Sequence, residues 1–457
     1  MINKKYVQIN FKIFLFLHLL IWTLIPSITN QNLPLDTIEA LAWGSNLDWG
    51  FYKHPPLSAF FVELFYKVFG NQDWAYYLLS QIFLVFSFFI VWKFSEDFLK
   101  NKFHSLIAVV LLETIVFYNF STPEFNVYIC QLPFRALAVY FCWKSIKNNS
   151  YPNWILFGFF SALGFLSHYL FIYLLLAITI FFAKEFYSKK MISPKLLIPV
   201  IVFLLTISPH LNWLFSNNFS SINYGLSRTN LEEFSITAHL INPIIFILKQ
   251  IGILIPFFLI FLLLINKFKT KINLKDKKLF FLIAINVFPI LLIFLTSLFS
   301  GIKIRTMWMS PFYLFSGVLL VYLFQNKINF IRLKSFLLSF SIIFFLYPAI
   351  YLYISISKTD KRTDYPGSEI AYLVQEKWNK NFSNDISLVV GDEWFGGNLS
   401  YHLNSRPVWI DSLDSKLDTI EISGGVVYVG NPKILKKICP GVYGTIKPIG
   451  ICMIGLK

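Results

Sequence analysis

Side chains able to do chemistry are scarce in this sequence, and they gather in three short stretches. Residues 30–74 hold Asp36, Glu39, Asp48, Lys53, His54 and Glu63, interleaved with Trp43, Trp49, Phe51 and Tyr52. The turn S-T-P-E-F-N adds Glu124 and Asn126, and S-G-I-K-I-R-T-M-W adds Lys303, Arg305 and Trp308. Moving a group off a phosphate needs both signs of charge. A carboxylate takes the proton from an incoming hydroxyl or amine, and cations stabilise the phosphate that leaves.

Each feature also has a plainer reading. Asp36 followed by Glu39 matches an N-terminal capping box, in which the first side chain accepts from a helix amide and the second reaches back. Lys53 and Arg305 can be snorkelling residues at a membrane interface, and the Trp and Tyr residues can form an aromatic belt. His54 before two prolines can end a helix, and Glu124 suits the first turn of the next one. What favours chemistry is co-occurrence: two acids in one stretch, a third in the next, and separate bases nearby.

The elements that must position these residues follow from composition. The chain has 457 residues, of which 56% are hydrophobic and only 14% charged, with 52 Phe. Such a composition excludes a string of soluble domains, and about eleven apolar segments of roughly 20 residues account for nearly half the chain. They fall near residues 13–28, 75–92, 104–120, 125–143, 154–183 (two segments), 196–215, 241–265, 279–300, 308–325 and 333–357. The first follows Lys4, Lys5 and Lys12 without a good cleavage site and reads as an uncleaved helix starting in the cytoplasm.

A net charge of +16 raises the question of a nucleic-acid partner, but the bases sit mostly between apolar segments. One set of alternate loops carries Lys93, Lys100, Lys102, Lys144, Lys147, Lys184, Lys189, Lys190, Lys195, the lysines from Lys267 to Lys278, Lys327, Arg332 and Lys334. The opposite set holds only Lys53, Lys67, Arg228, Lys303 and Arg305. The charge is thus mostly a topology signal, which puts the three polar stretches outside and predicts no nucleic acid. Alternation holds only if 154–183 enters the membrane and returns. Its thirty residues give about 45 Å, too short for two full spans, so a bent pair turning near Ser167-His168-Tyr169 is expected.

From Lys358 the pattern changes to short alternating stretches, such as 386–390 and 425–429, punctuated by Gly, Asn and Pro. This predicts a membrane domain over 1–357, with site loops at 30–74, 119–125 and 300–307, and a small extracytoplasmic α/β or α+β domain over 358–457. Cys439 and Cys452 in that domain can pair or can be two buried hydrophobes. Asp392, Glu393 and Trp394 form a polar and aromatic cluster there, for which structural or positioning duty is favoured over catalysis.

In D-T-I-E-A-L-A-W-G, W-G-F-Y-K-H-P-P-L, T-P-E-F-N-V, L-S-H-Y-L, S-P-H-L-N-W and G-I-K-I-R-T-M-W-M-S-P, taken in order, the chain resembles the lipid-linked-sugar glycosyltransferases of family 39. These include protein O-mannosyltransferases and, as close relatives, the aminoarabinose transferases of lipid A; the likeness is greatest to the bacterial branch. The resemblance implies a polytopic α-helical membrane protein of the GT-C fold in the bacterial cytoplasmic (inner) membrane. It implies a polyprenyl-phosphate sugar as donor and a lipid or glycan as acceptor, such as lipid A. It makes Asp36 the catalytic carboxylate, with Glu39 beside it and Glu124 in place of the acid of the second external loop.

The reaction expected is an inverting transfer, with Lys53, His54 and Arg305 on the donor phosphate and membrane lipids around the prenyl tail. Asp36, Glu39, Glu124 or His54 can also accept a divalent metal, which the sequence does not require. Two other classes compete. An oligosaccharide ligase or polymerase using a lipid-linked glycan shares the same physical logic. A secondary transporter or flippase would place its charges inside the spans and often shows inverted repeats. Here only Glu113, Arg135 and Lys249 lie clearly inside spans, and no repeat is evident between the halves.

Overall fold

A computed structural model describes residues 4–189, 194–229, 236–266, 270, 272–411 and 424–457. Lys190, Lys267, Lys269 and Lys271, counted above as loop charges, lie outside the described residues. The membrane domain opens with α1 (Lys4–Thr29), followed by the short α2 (Leu35–Gly44) and α3 (Leu57–Phe69) of the first loop. Next come α4 (Asp73–Ser95), then α5 (Lys102–Val110) with its 3-10 continuation Leu111–Thr114 and Val116–Tyr118, and α6 (Val127–Asn148). They are succeeded by α7 (Tyr151–Ser167), α8 (Ile172–Lys189), α9 (Leu197–Ser216), α10 (Ser220–Ser227), α11 (Ala238–Leu262) and α12 (Lys277–Ser300). The bent pair Thr306–Tyr313 and α13 (Ser316–Phe324), then α14 (Leu333–Ser357), complete this domain.

Among the described residues, seven helices are long and apolar enough by themselves to cross a membrane, or eight with the bent pair. The other predicted segments fall on α5, α6 and α7, which are shorter or carry charge, as Arg135 does in α6. Lipid is the natural neighbour of Leu240, Ile244, Leu248 and Ile251 on α11 and of Leu338, Ile342 and Phe345 on α14. All are exposed, on long apolar helices.

The 154–183 region departs from expectation in length. The helices start before the apolar run and end after it, so α7 has 17 residues and the stretch Tyr169–Ser188 has 20. At 1.5 Å per residue these reach about 25 and 30 Å, enough for two passages rather than a short re-entrant pair. The break itself lies where it was expected. His168 takes an extended conformation, and its Nδ1 accepts from the Leu170 amide at 3.2 Å.

The C-terminal domain has a five-stranded mixed sheet: β1 (Ile386–Val390), β2 (Val408–Ile410), β3 (Gly425–Gly430), β4 (Val442–Ile446) and β5 (Ile449–Ile454) in the order β2-β1-β3-β5-β4. β2-β1-β3 are parallel, β3-β5 and β5-β4 antiparallel. Its helices are α15 (Gly367–Asn381), α16 (Phe395–His402), which forms the crossover a parallel β1–β2 pair needs, and α17 (Pro432–Ile438). Ile370, Val374 and Trp378 of α15 pack with Val389, Val427, Ile451 and Met453 of the sheet. Cys439 and Cys452 form a disulfide, with Cα atoms 5.5 Å apart, that ties the end of α17 to β5.

This domain is seated on the first loop. A Cβ at Gly397 of α16 would come 3.1 Å from both the Ala42 Cβ and the Ile38 Cγ2, so glycine lets α16 lie directly on α2. Arg406 donates through Nη2 to Glu63 Oε2 at 2.8 Å and to the Leu41 carbonyl at 2.6 Å. Asn32 donates to Asn398 at 2.8 Å, and Tyr401 donates to Asp73 at 2.7 Å. Glu63, grouped by sequence with the acids able to do chemistry, is therefore a docking residue.

Candidate active site

Asp36 lies in the first turn of α2, whose N-cap is Pro34 and has no side chain with which to cap. The capping-box reading fails for that reason. Three amides of the first turn need outside partners, and that of Asp36 donates to Glu124 Oε1 at 3.0 Å. A carboxylate from the turn before α6 thus caps the helix, where negative charge also suits the dipole. One residue on, the Thr37 hydroxyl donates to the Phe125 carbonyl at 3.1 Å. Asn126 in turn caps α6, accepting from the Tyr128 and Ile129 amides at 3.1 Å each.

Glu39 follows one helical turn after Asp36 and is buried. Its Oε1 accepts from Lys53 Nζ at 2.8 Å, and the same ammonium pairs with Glu393 of the C-terminal domain. Trp43 Nε1 donates to the other oxygen of Glu393 at 3.3 Å. Lys53 is thus a bridge between two carboxylates from opposite ends of the chain.

These groups open on a cavity of about 920 Å³. Of the residues expected from sequence, Asp36, Glu39, Lys53, His54 and Arg305 line it; Glu124 is not among the lining residues and stands behind Asp36. Leu35, Leu170, Ile172, Ile293, Ile302 and Ile304 supply apolar wall. Gly301 ends α12 at φ 69°, a left-handed turn that glycine adopts without strain, and from it the chain leaves as the extended approach to Arg305.

Burial pushes the Asp36 carboxyl well above its ordinary range, and Glu124 and Glu39 push it further, against the opposing pull of Lys53 and Arg362. Glu124 is raised as well, mainly by burial, with the Asp36 amide working the other way. His54 is lowered to about 3 by burial and by Lys53, so its imidazole is neutral at ordinary pH. Burial alone would lower Lys53, but Glu39 and Glu393 outweigh it and hold the ammonium above its usual value. Glu393 is pushed up to about 7 by burial and by Glu39, with Lys53 opposing.

Several lining residues carry no motif in the first two polar stretches. Tyr224 and Arg228 come from α10 and its end, with the Lys53 ammonium 5.8 Å from the Tyr224 ring centroid. Arg362, Asp392, Glu393 and Trp394 come from the C-terminal domain, and the Arg362 guanidinium lies 5.5 Å from the Trp394 ring. Asp392-Glu393-Trp394 stood out in the sequence as a polar and aromatic cluster. Arg228 stood out as one of few external bases, and Arg362 had no signal at all.

Two of the sequence motifs meet as well. Tyr169 of L-S-H-Y-L lies with its hydroxyl 3.0 Å from Nε2 of His210, in S-P-H-L-N-W. His210 donates through Nδ1 to the Trp49 carbonyl at 2.6 Å, and Trp213 donates to Asp48 at 2.8 Å, which pins the tip of the first loop. Among the described residues no group of three or more His, Cys, Asp or Glu side chains is arranged to hold a metal. Glu39 is engaged by Lys53 and Glu124 by a backbone amide, so the four residues considered as a donor set do not form one.

Residues 53–213 match the family model described as dolichyl-phosphate-mannose-protein mannosyltransferase. No match is found among the curated proteins. Among solved structures, ArnT from Cupriavidus metallidurans bound to undecaprenyl phosphate aligns with a TM-score of 0.63 at 11% identity, over 96% of this chain and 97% of that one. The same protein in the apo state aligns at 0.61, with the same identity and coverage. At that identity the likeness speaks for the fold. The resemblance read from the motifs is borne out: this is a multi-pass membrane protein of the GT-C glycosyltransferase fold, and its residues 53–213 carry the signature of the dolichyl-phosphate-mannose-protein mannosyltransferase family.

Proposed function

We propose that the protein is a glycosyltransferase that moves a sugar from a polyprenyl-phosphate donor to an envelope acceptor, lipid A or another cell-surface glycan, with inversion. In this reading it works at the outer face of a bacterial inner membrane. The observation that carries the proposal is a single cavity bearing the Asp36 carboxyl and the Arg305 guanidinium between apolar walls of membrane helices. A prenyl-linked donor cannot leave the bilayer, so its reacting end must be met at such a place. The undecaprenyl phosphate in the similarly folded ArnT is the same class of molecule.

Asp36 accepts the proton of the acceptor hydroxyl as its oxygen bonds to the anomeric carbon from the face opposite the phosphate. The carbon–oxygen bond to phosphate breaks, and its electron pair leaves on the polyprenyl phosphate. Arg305 and Arg362 meet that charge, and a planar guanidinium can bind two phosphate oxygens at once. Lys53 adds positive field but stays between Glu39 and Glu393, and His54 meets the phosphate as a neutral donor. Glu39 and Glu124 act by placing Lys53 and α2. A carboxyl held above its ordinary range is suited to taking and returning a proton near neutral pH.

The test is mass spectrometry of envelope lipids and glycans from a strain lacking the protein, complemented with wild type or with Asp36→Asn. Loss of a sugar modification, restored by wild type alone, supports the reading. An unchanged envelope, or full restoration by Asp36→Asn, sinks it.

A further inference from the structure

A second set of polar side chains is buried away from the cavity, among the membrane helices. His18 of α1, Gln81 of α4 and Glu113 of the 3-10 turn after α5 are each at most 1% exposed. His18 Nδ1 lies 2.8 Å from Glu113 Oε2, and its Nε2 lies 3.2 Å from Gln81 Oε1. Burying three such groups in an apolar bundle is costly unless they are satisfied together, and a satisfied network is rigid. Here rigidity has a direction.

Gln81 turns its amide outward. Its Nε2 donates to the Thr122 carbonyl at 3.1 Å and to the Thr122 hydroxyl at 3.2 Å. Asn119 ties the same turn back to the other end of the network, donating to the backbone carbonyl of Glu113, and Thr122 donates to the Asn119 carbonyl at 2.6 Å. Two residues beyond Thr122 is Glu124, whose carboxylate caps α2 at Asp36. Side chains of α1 and α4 and the 3-10 turn after α5 therefore hold one turn, and that turn holds the helix carrying Asp36 and Glu39.

We propose that His18, Glu113 and Gln81 are positioning residues that set the Glu124 carboxylate against the Asp36 amide and so fix the orientation of α2 toward the cavity. Their catalytic consequence rests on the function proposed above; their mechanical consequence does not. Gln81→Met fills a similar volume and removes the Gln81 contacts to both Thr122 and His18, leaving the Ser80 hydroxyl as the remaining donor from α4 to the Thr122 carbonyl. Thr122→Val removes the hydroxyl alone, and Thr122→Ser restores it.

The experiment is amide hydrogen exchange, read by mass spectrometry, on the full-length protein in detergent. In Gln81→Met, peptides covering 34–39 and 119–126 should exchange faster, on the order of tenfold, while α11 and α14 keep wild-type protection. Adding Gln81→Met to Glu124→Gln should not speed exchange at 34–39 beyond Glu124→Gln alone, since both act through one contact. Thr122→Val should speed exchange less than Gln81→Met, and Thr122→Ser should match wild type. Unchanged exchange at 34–39 in Gln81→Met overturns the proposal, as does additivity in the double variant or faster exchange everywhere. If the exchange results hold but deleting the protein leaves the envelope unaltered, the positioning role stands and the proposed function falls.

Discussion

Between its apolar membrane helices the cavity has two polar walls that differ in how they are built. The first-loop wall is local: Asp36, Glu39, Lys53 and His54 lie within one stretch of chain, on α2 and the turn after it. The C-terminal wall is remote in sequence, bringing Arg362, Asp392, Glu393 and Trp394 to the same space from the region after α14. The local wall supplies the carboxyl proposed to react. Burial, Glu124, Glu39 and Lys53 act most on that carboxyl, and the remote wall adds to their setting, since Glu393 shares Lys53 with Glu39 and Arg362 makes the smallest opposing contribution. The carboxyl proposed to react and part of its electrostatic setting thus belong to different parts of the chain.

That contrast is most strongly tested at the local wall. Asp36→Asn should reduce sugar transfer by about two to four orders of magnitude, the usual reach of a lost general base, with membrane insertion intact. In the wild type the acid limb of the pH–rate profile should lie above the ordinary aspartate range, because burial and the neighbouring Glu124 and Glu39 raise the carboxyl. Near-wild-type turnover by Asp36→Asn would remove this residue from the chemistry. The next largest effect is expected at two guanidinium groups lining the cavity, Arg305 after α12 and Arg362 of the remote wall. Arg305→Ala and Arg362→Ala should each weaken donor binding by roughly tenfold to a hundredfold, in line with the loss of a charge-assisted contact. Equal donor affinity in either variant would take that side chain off the phosphate.

Smaller effects separate the bridging roles. Lys53→Met leaves Glu39 and Glu393 facing each other without their shared cation, whereas Glu393→Gln leaves Lys53 with Glu39. The first should cost about 1–3 kcal/mol more in thermal unfolding, and equal Tm values would mean the bridge does not hold the walls together. The smallest effect concerns pH. In the folded protein Glu393 titrates at about 7 against an ordinary 4.5, so the folded chain binds more protons than the unfolded one between those values. The stability from this group is full below about 4.5 and is lost as pH rises through about 7. Glu393→Gln should flatten that part of the stability profile, and an unchanged slope would place the titration elsewhere.

The outline of the membrane domain was legible because apolar run length and loop charge are local quantities. Ten of the eleven predicted segments fall on a helix or bent pair; 104–120 instead covers the short α5 and two 3-10 turns, and the 151–189 stretch was misjudged in length. There Tyr151, Pro152 and Asn153 start a helix ahead of the apolar run, and Lys184 to Lys189 extend one beyond it. Helix ends follow capping and packing more than hydropathy. The first-loop residues were legible as chemistry because acids, a lysine and a histidine are conspicuous beside so much Phe and Leu. The mutual arrangement was not: Asp36 and Glu39 looked like a capping box, and the cap turned out to come from Glu124, a residue of another loop.

Composition and spacing alone determined that this chain spans a membrane and that Asp36, Glu39, Lys53, His54 and Arg305 lie together. Only the tertiary structure decided which of them meet. It made Lys53 a bridge, stood Glu124 behind Asp36, bound Glu63 to Arg406, and carried Arg362 and Glu393 into the cavity. The reason is physical. Hydropathy is summed along the chain and can be read there, whereas the field at a carboxyl falls off within a few ångströms and depends on which remote charges folding brings that close.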